Sequence, residues 1–223
     1  MGDVICIADA RARRDAAPAV ATPGGRLTVS FAFDLALPET YFAADRLERM
    51  LERVAWAPAS SVALHGGRDG RDAVLLGRRE AVEARARTLR MPLVWPQRYP
   101  FDGRAAMRIA ALAVVLGRAA EFTLAASRLA FCGGYDLDNF EVLAEAAAAA
   151  GLCLDSCLAA AGDRTIDAAL EVSAAAFRSR GADRLPAMTV GGRTICGEER
   201  LAEAAALARS PWRAGRLRGR SAR

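Results

Sequence analysis

Lysine is absent from this chain: all 31 basic residues are arginine. A Schiff-base lysine is therefore excluded. Histidine occurs once, at His65. No cysteine or acid accompanies it at ligand spacing, so no metal site is expected. Aromatic residues make up only 6% of the chain, so the core has to be built from small aliphatic side chains on many helices. No apolar run approaches the roughly 18 residues of a membrane-spanning helix. The short apolar run Val4 to Ala8 follows Asp3 rather than a basic segment, which makes a poor signal peptide. The cysteines, Cys6, Cys132, Cys153, Cys157 and Cys196, are odd in number and scattered. That spacing is not a secreted disulfide framework. A cytoplasmic location is the expectation.

What is present is enough apolar material for a sizeable core: 223 residues, 53% of them hydrophobic. That suits one elaborated domain or one domain carrying a large insertion. The net charge of +5 gathers at the ends. Residues 1–25 read as a disordered leader closed by Pro23-Gly24-Gly25. Residues 209–223 read as a basic, solvated tail, a composition that can also bind nucleic acid or an acidic surface. Interior charges are mixed in sign with no basic stripe among aromatics, so nucleic acid is not the expected partner.

Leu27 to Phe33 alternates apolar and small residues and predicts a strand. Pro38 and Glu39 then suit the first turn of a helix, with Leu47, Met50, Leu51 and Val54 as its apolar stripe. Ser61 to Leu64 reads as a second strand stopped by Gly66-Gly67. Residues 72–90 read as one helix of alternating charge. Met91 to Pro100 holds three prolines and must be an extended connector. Residues 103–131 read as two helices broken near Gly117. Asp138 or Asn139 caps a helix that Gly151 ends, and helices follow over about 154–161 and 164–180. Near the end, Ala187 to Val190, Gly191-Gly192 and Arg193 to Cys196 spell a β-hairpin, after which Gly197 opens a last helix. This order predicts an α/β fold with a helical insertion. The α/β unit takes residues 26–66 and 184–208, and the insertion with its connector takes 67–183. Cys153 and Cys157 share one helix face and read as small core residues. Cys196 is either buried in the terminal strand or, ahead of the last helix, the most reactive thiol.

Four segments carry a family resemblance. Phe31-Ala32-Phe33-Asp34-Leu35-Ala36-Leu37-Pro38-Glu39-Thr40-Tyr41-Phe42-Ala43 is similar to the pattern F-Y-F-D-F-x-S-P-Y-S-Y-L-A. Arg90-Met91-Pro92-Leu93 is similar to G-I-P-L. Tyr99-Pro100-Phe101-Asp102-Gly103-Arg104-Ala105-Ala106-Met107-Arg108 is similar to F-P-x-N-x-x-R-A-M-R. Arg184 to Gly192 with Cys196-Gly197-Glu198-Glu199-Arg200-Leu201 is similar to G-V-P-T-F-V-V-G-G followed by G-x-D-R-L. In this order, over about residues 27–207, they resemble the 2-hydroxychromene-2-carboxylate isomerase, kappa-class glutathione transferase and DsbA group. The resemblance implies a thioredoxin fold, a central mixed β-sheet flanked by helices, with an all-helical insertion.

The same resemblance assigns roles. The residue before Pro38 is where relatives carry the serine or cysteine that holds a thiol. Here it is Leu37, which has no donor, acceptor or nucleophile, so C-x-x-C redox chemistry is excluded there. Thr40, the second motif position, keeps a hydroxyl that either donates to a ligand or bonds the local backbone. Leu185-Pro186 matches the family's cis-proline, whose preceding residue pairs with thiol ligands. Glu199 stands where relatives place the acid that grips the ammonium of glutathione, with Glu198 beside it; a first-turn acid favouring the helix dipole is the other reading. Asp102 stands at the family's asparagine and either caps the next helix or lines the pocket with Pro38. Trp95 and Tyr99 either wall an aromatic pocket or pack the domain interface. Glutathione is the implied cofactor and an aromatic acid the implied substrate, while a homodimer goes with the scaffold reading below. Three functions stay open: a glutathione-dependent isomerase or transferase, a catalytically inactive binding or scaffold protein, and a peptide or partner adaptor whose basic tail makes the contact.

Overall fold

The computed structural model describes residues 28–209 apart from 52 and 66. The leader and all but the first residue of the basic tail therefore lie outside the described residues. Strand β1 (Val29–Phe33) runs into helix α1 (Pro38–Met50), strand β2 (Val54–Pro58) and one helical turn, α2 (Ser61–Leu64). Helices α3 (Arg68–Gly77), α4 (Arg79–Leu89), α5 (Arg104–Val115), α6 (Ala119–Phe131), α7 (Phe140–Ala149), α8 (Leu154–Gly162) and α9 (Ile166–Ser179) follow. The chain returns through β3 (Ala187–Val190), β4 (Arg193–Cys196), a 3₁₀ turn (Glu198–Arg200) and α10 (Leu201–Arg209). The sheet order is β2-β1-β3-β4. β1 and β2 are parallel, in register Val29 with Val54, as a β-helix-β crossover requires. β3 is antiparallel to both β1 and β4. This is a thioredoxin-like sheet with a helical insertion.

Strand alternation divides the core in two. One face sends Phe31, Phe33, Met188, Val190 and Ile195 into the main core with Phe42 and Leu47 of α1 and Leu201 and Ala204 of α10. Trp56 meets Phe31 and Phe33 edge-on, with ring centroids 5.2 and 5.6 Å away. The other face sends Ala32, Ala187 and Cys196 into a smaller cluster with Leu37, Leu64, Leu75, Phe177 and Leu185. Alanine lets the helices approach: Ala106, Ala110, Ala113, Ala126, Ala130 and Ala146 are all fully buried.

Two expected elements are placed differently, and one open alternative is resolved. The second strand is Val54–Pro58, and Ser61–Leu64 is helical. Val-Ala-Trp-Ala suits a pleated, half-buried strand, whereas Ser60 accepts a hydrogen bond from Ala63 N and so caps a turn. Val54 accordingly leaves the stripe of α1. The expected helix over 72–90 starts at Arg68 and breaks at Arg78, where Gly77 ends α3. Asn139 rather than Asp138 caps α7, accepting from Glu141 N at 2.9 Å. The hairpin is found where expected, with Gly191 and Gly192 both at positive φ. The connector is extended, anchored by Val94 N to Phe131 O at 2.8 Å. Among the described residues, no helix is long and apolar enough to cross a membrane.

Asp138 has its own task. Its two carboxylate oxygens accept from Asp102 N and Gly103 N, each at 2.8 Å, fixing the end of the connector. Asp138→Ala leaves both amides without that acceptor. It should cost about 1–2 kcal/mol in urea denaturation, with α7 still capped by Asn139.

Candidate functional site

The site is built around the end of β1. Asp34 is 4% exposed, and each of its oxygens has work. Oδ1 accepts from Ala36 N at 2.9 Å and Oδ2 from Ser61 N at 2.8 Å. Its backbone carbonyl accepts from Leu37 N at 3.1 Å and from the Thr40 hydroxyl at 2.7 Å. One residue therefore shapes the 34–37 turn, starts α1 and holds α2 against it. Pro38 occupies the first helical turn and Leu37 is the N-cap, without a side-chain cap bond.

Leu37 is 3% exposed and packs with Leu64, Leu75, Phe177 and Leu185. Thr40 is fully buried, and its hydroxyl bonds the local backbone. The Leu185-Pro186 peptide is cis, as the resemblance implied. Leu185 shares the apolar cluster with Leu37. Pro186 O accepts from Gly197 N at 2.8 Å, while the Leu185 backbone N–H and C=O have no hydrogen-bond partner among the described residues.

The acids after Gly197 divide their roles. Glu198, 2% exposed, is gripped by Arg46 from α1 and by Arg85 from α4, whose Nη2 stands 3.2 Å from Oε2. Arg46 Nη2 also donates to the Glu198 carbonyl at 3.2 Å. Glu199 turns outward to Arg184 Nη2 at 2.7 Å. Its carboxylate folds over Gly197, at φ 90°, where any Cβ would collide with it. The buried acid is thus Glu198, and Glu199, the position the resemblance singles out, stays at the surface.

Glu39 is the third acid. It is 7% exposed, with Oε1 2.9 Å from Arg78 Nη2. Burial pushes its carboxyl up from the usual range, and Glu198 and Glu199 add to that. Arg78 and Glu39's own backbone N–H pull the other way without cancelling it.

The connector closes the opposite side. Trp95 donates from Nε1 to Glu83 at 2.9 Å and carries the Arg79 guanidinium 4.6 Å above its ring. Tyr99 lies 4.7 Å from Trp95, centroid to centroid, and its hydroxyl points to Ala36 O at 3.4 Å. Burial, then Glu39, pushes the Tyr99 phenol up. Asp102 does not cap α5: Gly103 holds that position, at φ 69°. Asp102 instead binds Arg104 Nη2 at 2.8 Å and also Arg68. Burial raises its carboxyl, but Arg104 and then Arg68 outweigh that and hold it low. Arg71, 1% exposed, donates to Phe101 O at 3.0 Å and Asp102 O at 3.3 Å.

The structure therefore brings Leu185 and Tyr99 to the turn that holds Leu37, Pro38 and Thr40, while Glu198 meets α1 further along, at Arg46. Asp102 is held by Arg68 and Arg104. Sequence reasoning missed Arg46, Arg71, Arg78 and Arg85. In a lysine-free chain nothing marks one arginine as the partner of a distant acid. His65, at the end of α2, is half-buried, and its imidazole is held low by burial, then by Arg178 and Arg78. Cys157 and Cys196 are buried and Cys132 is exposed. Burial pushes the Cys157 thiol to about 11, which fits a core residue. Cys6 lies outside the described residues.

A parallel β-helix-β start, an inserted helical bundle and a cis-proline beside the first helix define a thioredoxin-fold protein. More narrowly, the chain belongs to the DSBA-like thioredoxin domain family, whose model matches residues 28–207. Solved structures of the same fold include a 2-hydroxychromene-2-carboxylate isomerase, 17% identical with TM-score 0.68 over 80% of this chain and 93% of that one. A probable DsbA oxidoreductase from Streptomyces coelicolor is 18% identical, with TM-score 0.60 over 84% and 93%. The cytosolic disulfide reductase DsbM from Pseudomonas aeruginosa, solved with GSH, is 17% identical, with TM-score 0.63 over 82% and 96%. No curated protein matches the sequence.

Glu198 ties α1, α4 and the 3₁₀ turn together. Glu198→Ala strands two guanidiniums and should cost roughly 2–3 kcal/mol in chemical denaturation. That is below the roughly 3–5 of a fully buried pair, because both arginines keep contact with water.

Proposed function

We propose that this DsbA-like chain is a binding or scaffold protein that performs no thiol chemistry at the start of α1. The observation that carries this reading is Leu37, buried in an apolar cluster at the position where relatives hold a thiol. Activating a thiolate needs a hydrogen-bond donor and an unmatched positive helix end. Leucine supplies no donor, and the Thr40 hydroxyl is committed to Asp34 O. The first turn of α1 already carries an acid, Glu39, whose carboxyl accepts from its own backbone N–H. The ligand or partner then meets the turn formed by Pro38, Pro186 and Tyr99, and a second copy of the chain is one such partner.

A second reading rests on a different observation. The Leu185 backbone N–H and C=O, beside a cis-proline, stay unpaired among the described residues. Such groups can hold a thiol ligand in strand fashion without any side-chain nucleophile. This favours a glutathione-dependent isomerase or transferase acting on an aromatic acid, with Trp95 and Tyr99 beside the substrate. A cytosolic relative solved with GSH supports the same reading and a cytoplasmic setting.

Calorimetric titration with glutathione separates the two. The binding-protein reading expects no saturable heat at millimolar glutathione. Saturable binding that Pro186→Ala weakens would overturn it in favour of the second. Leu37→Ser should cost about 2–4 kcal/mol of stability through the lost apolar packing, read by urea denaturation. Glutathione binding gained by that variant alone would locate the deficit at residue 37.

A further inference from the structure

Arg78 is the only residue between α3 and α4. It closes the first helix and opens the second. Each helix is anchored beyond this corner: α3 by buried Arg71 and Leu75, α4 by buried Val82 and Ala86 and by the Arg85–Glu198 pair. The corner itself reaches α1 through Arg78 Nη2 and Glu39 Oε1. The two differ in surroundings: the Arg78 side chain is exposed, whereas Glu39 is buried. If the pair breaks, the guanidinium can turn to water, whereas the carboxyl stays inside.

We propose that the Glu39–Arg78 ion pair is a proton-operated latch. A proton on the Glu39 carboxyl releases Arg78 to solvent and frees the α3–α4 corner from the start of α1. The charges around Glu39 favour this. From the 3₁₀ turn, Glu198 and Glu199 face it. Glu198 is held by Arg46 and Arg85, and Glu199 by Arg184. From the connector, Tyr99 faces it as a neutral phenol. At the end of α2, His65 faces Arg78, and burial, then Arg178 and Arg78, hold its imidazole below the usual range. Burial, reinforced by the two acids, makes Glu39 accept its proton more readily than a solvated carboxyl. Other paired acids behave oppositely. Arginines outweigh burial at Asp45 and Asp102, and Arg108 holds Asp167 low. As pH falls, the latch therefore opens before those pairs do.

The sign follows from linkage. A carboxyl whose folded proton affinity is raised contributes stability that is fully present below its unfolded range. That contribution is lost as pH rises through the folded value. Opening the latch thus loosens one corner without weakening the whole fold. The inference holds whether or not the neighbouring turn takes a ligand.

Hydrogen exchange on the full chain tests it, with rates corrected for their intrinsic pH dependence. The amides of Arg78 and Val82 bond Leu75 O and Arg78 O, so they report the corner. Wild type should lose roughly threefold or more of corner protection, relative to α6, between about pH 7.5 and about pH 5. Glu39→Gln and Arg78→Gln should each show the loosened corner at both pH values. A wild-type corner whose protection ignores pH would overturn the latch, as would two variants protected like wild type at the higher pH.

Discussion

Everything near the site depends on where Asp34 puts its hydrogen bonds. A buried carboxylate normally demands a counter-charge. Here two backbone amides, Ala36 N and Ser61 N, supply the donors, while the Asp34 carbonyl receives Leu37 N and the Thr40 hydroxyl. The strand end, the first helical turn and the one-turn helix after β2 thereby share one anchor. The cis Leu185-Pro186 loop packs against the result through apolar contact rather than through hydrogen bonds.

Around that anchor runs a ring of guanidinium–carboxylate pairs. Glu198 joins α1 to α4, Glu39 joins α1 to the α3–α4 corner, and Glu199 joins the last turn to the loop before Pro186. Two of these pairs, Glu198–Arg85 and Glu39–Arg78, tie the thioredoxin-like unit to the inserted helices α3 and α4. They orient the two parts more than they stabilise them, because most of the arginines keep one side in water. The apolar cores carry the stability. Small alanine faces let the helices pack closely despite few aromatic side chains.

Glycine and proline made much of the fold legible. Gly117, Gly151, Gly181 and the Gly191-Gly192 pair mark the ends of elements because their backbones adopt positive φ. Leu185-Pro186 was legible through its motif. The second strand was not, because Val54 continues the spacing of the α1 stripe and Ser61 to Leu64 is a short apolar run that suits either structure. Leu37 was legible as a substitution, but its burial was not, since that depends on Leu64, Leu75 and Phe177 arriving from three later helices. The ion pairs were illegible for the same reason. Their partners lie far apart in the chain, and charge alone carries no information about distance.

Every cation in this ring is a guanidinium, which keeps its proton at any pH a cell reaches. The carboxylates can neutralise; their partners cannot. Acidification therefore leaves positive charge unmatched around the start of α1, and alkaline conditions leave the ring intact. The surface potential over this part of the molecule can move in one direction only.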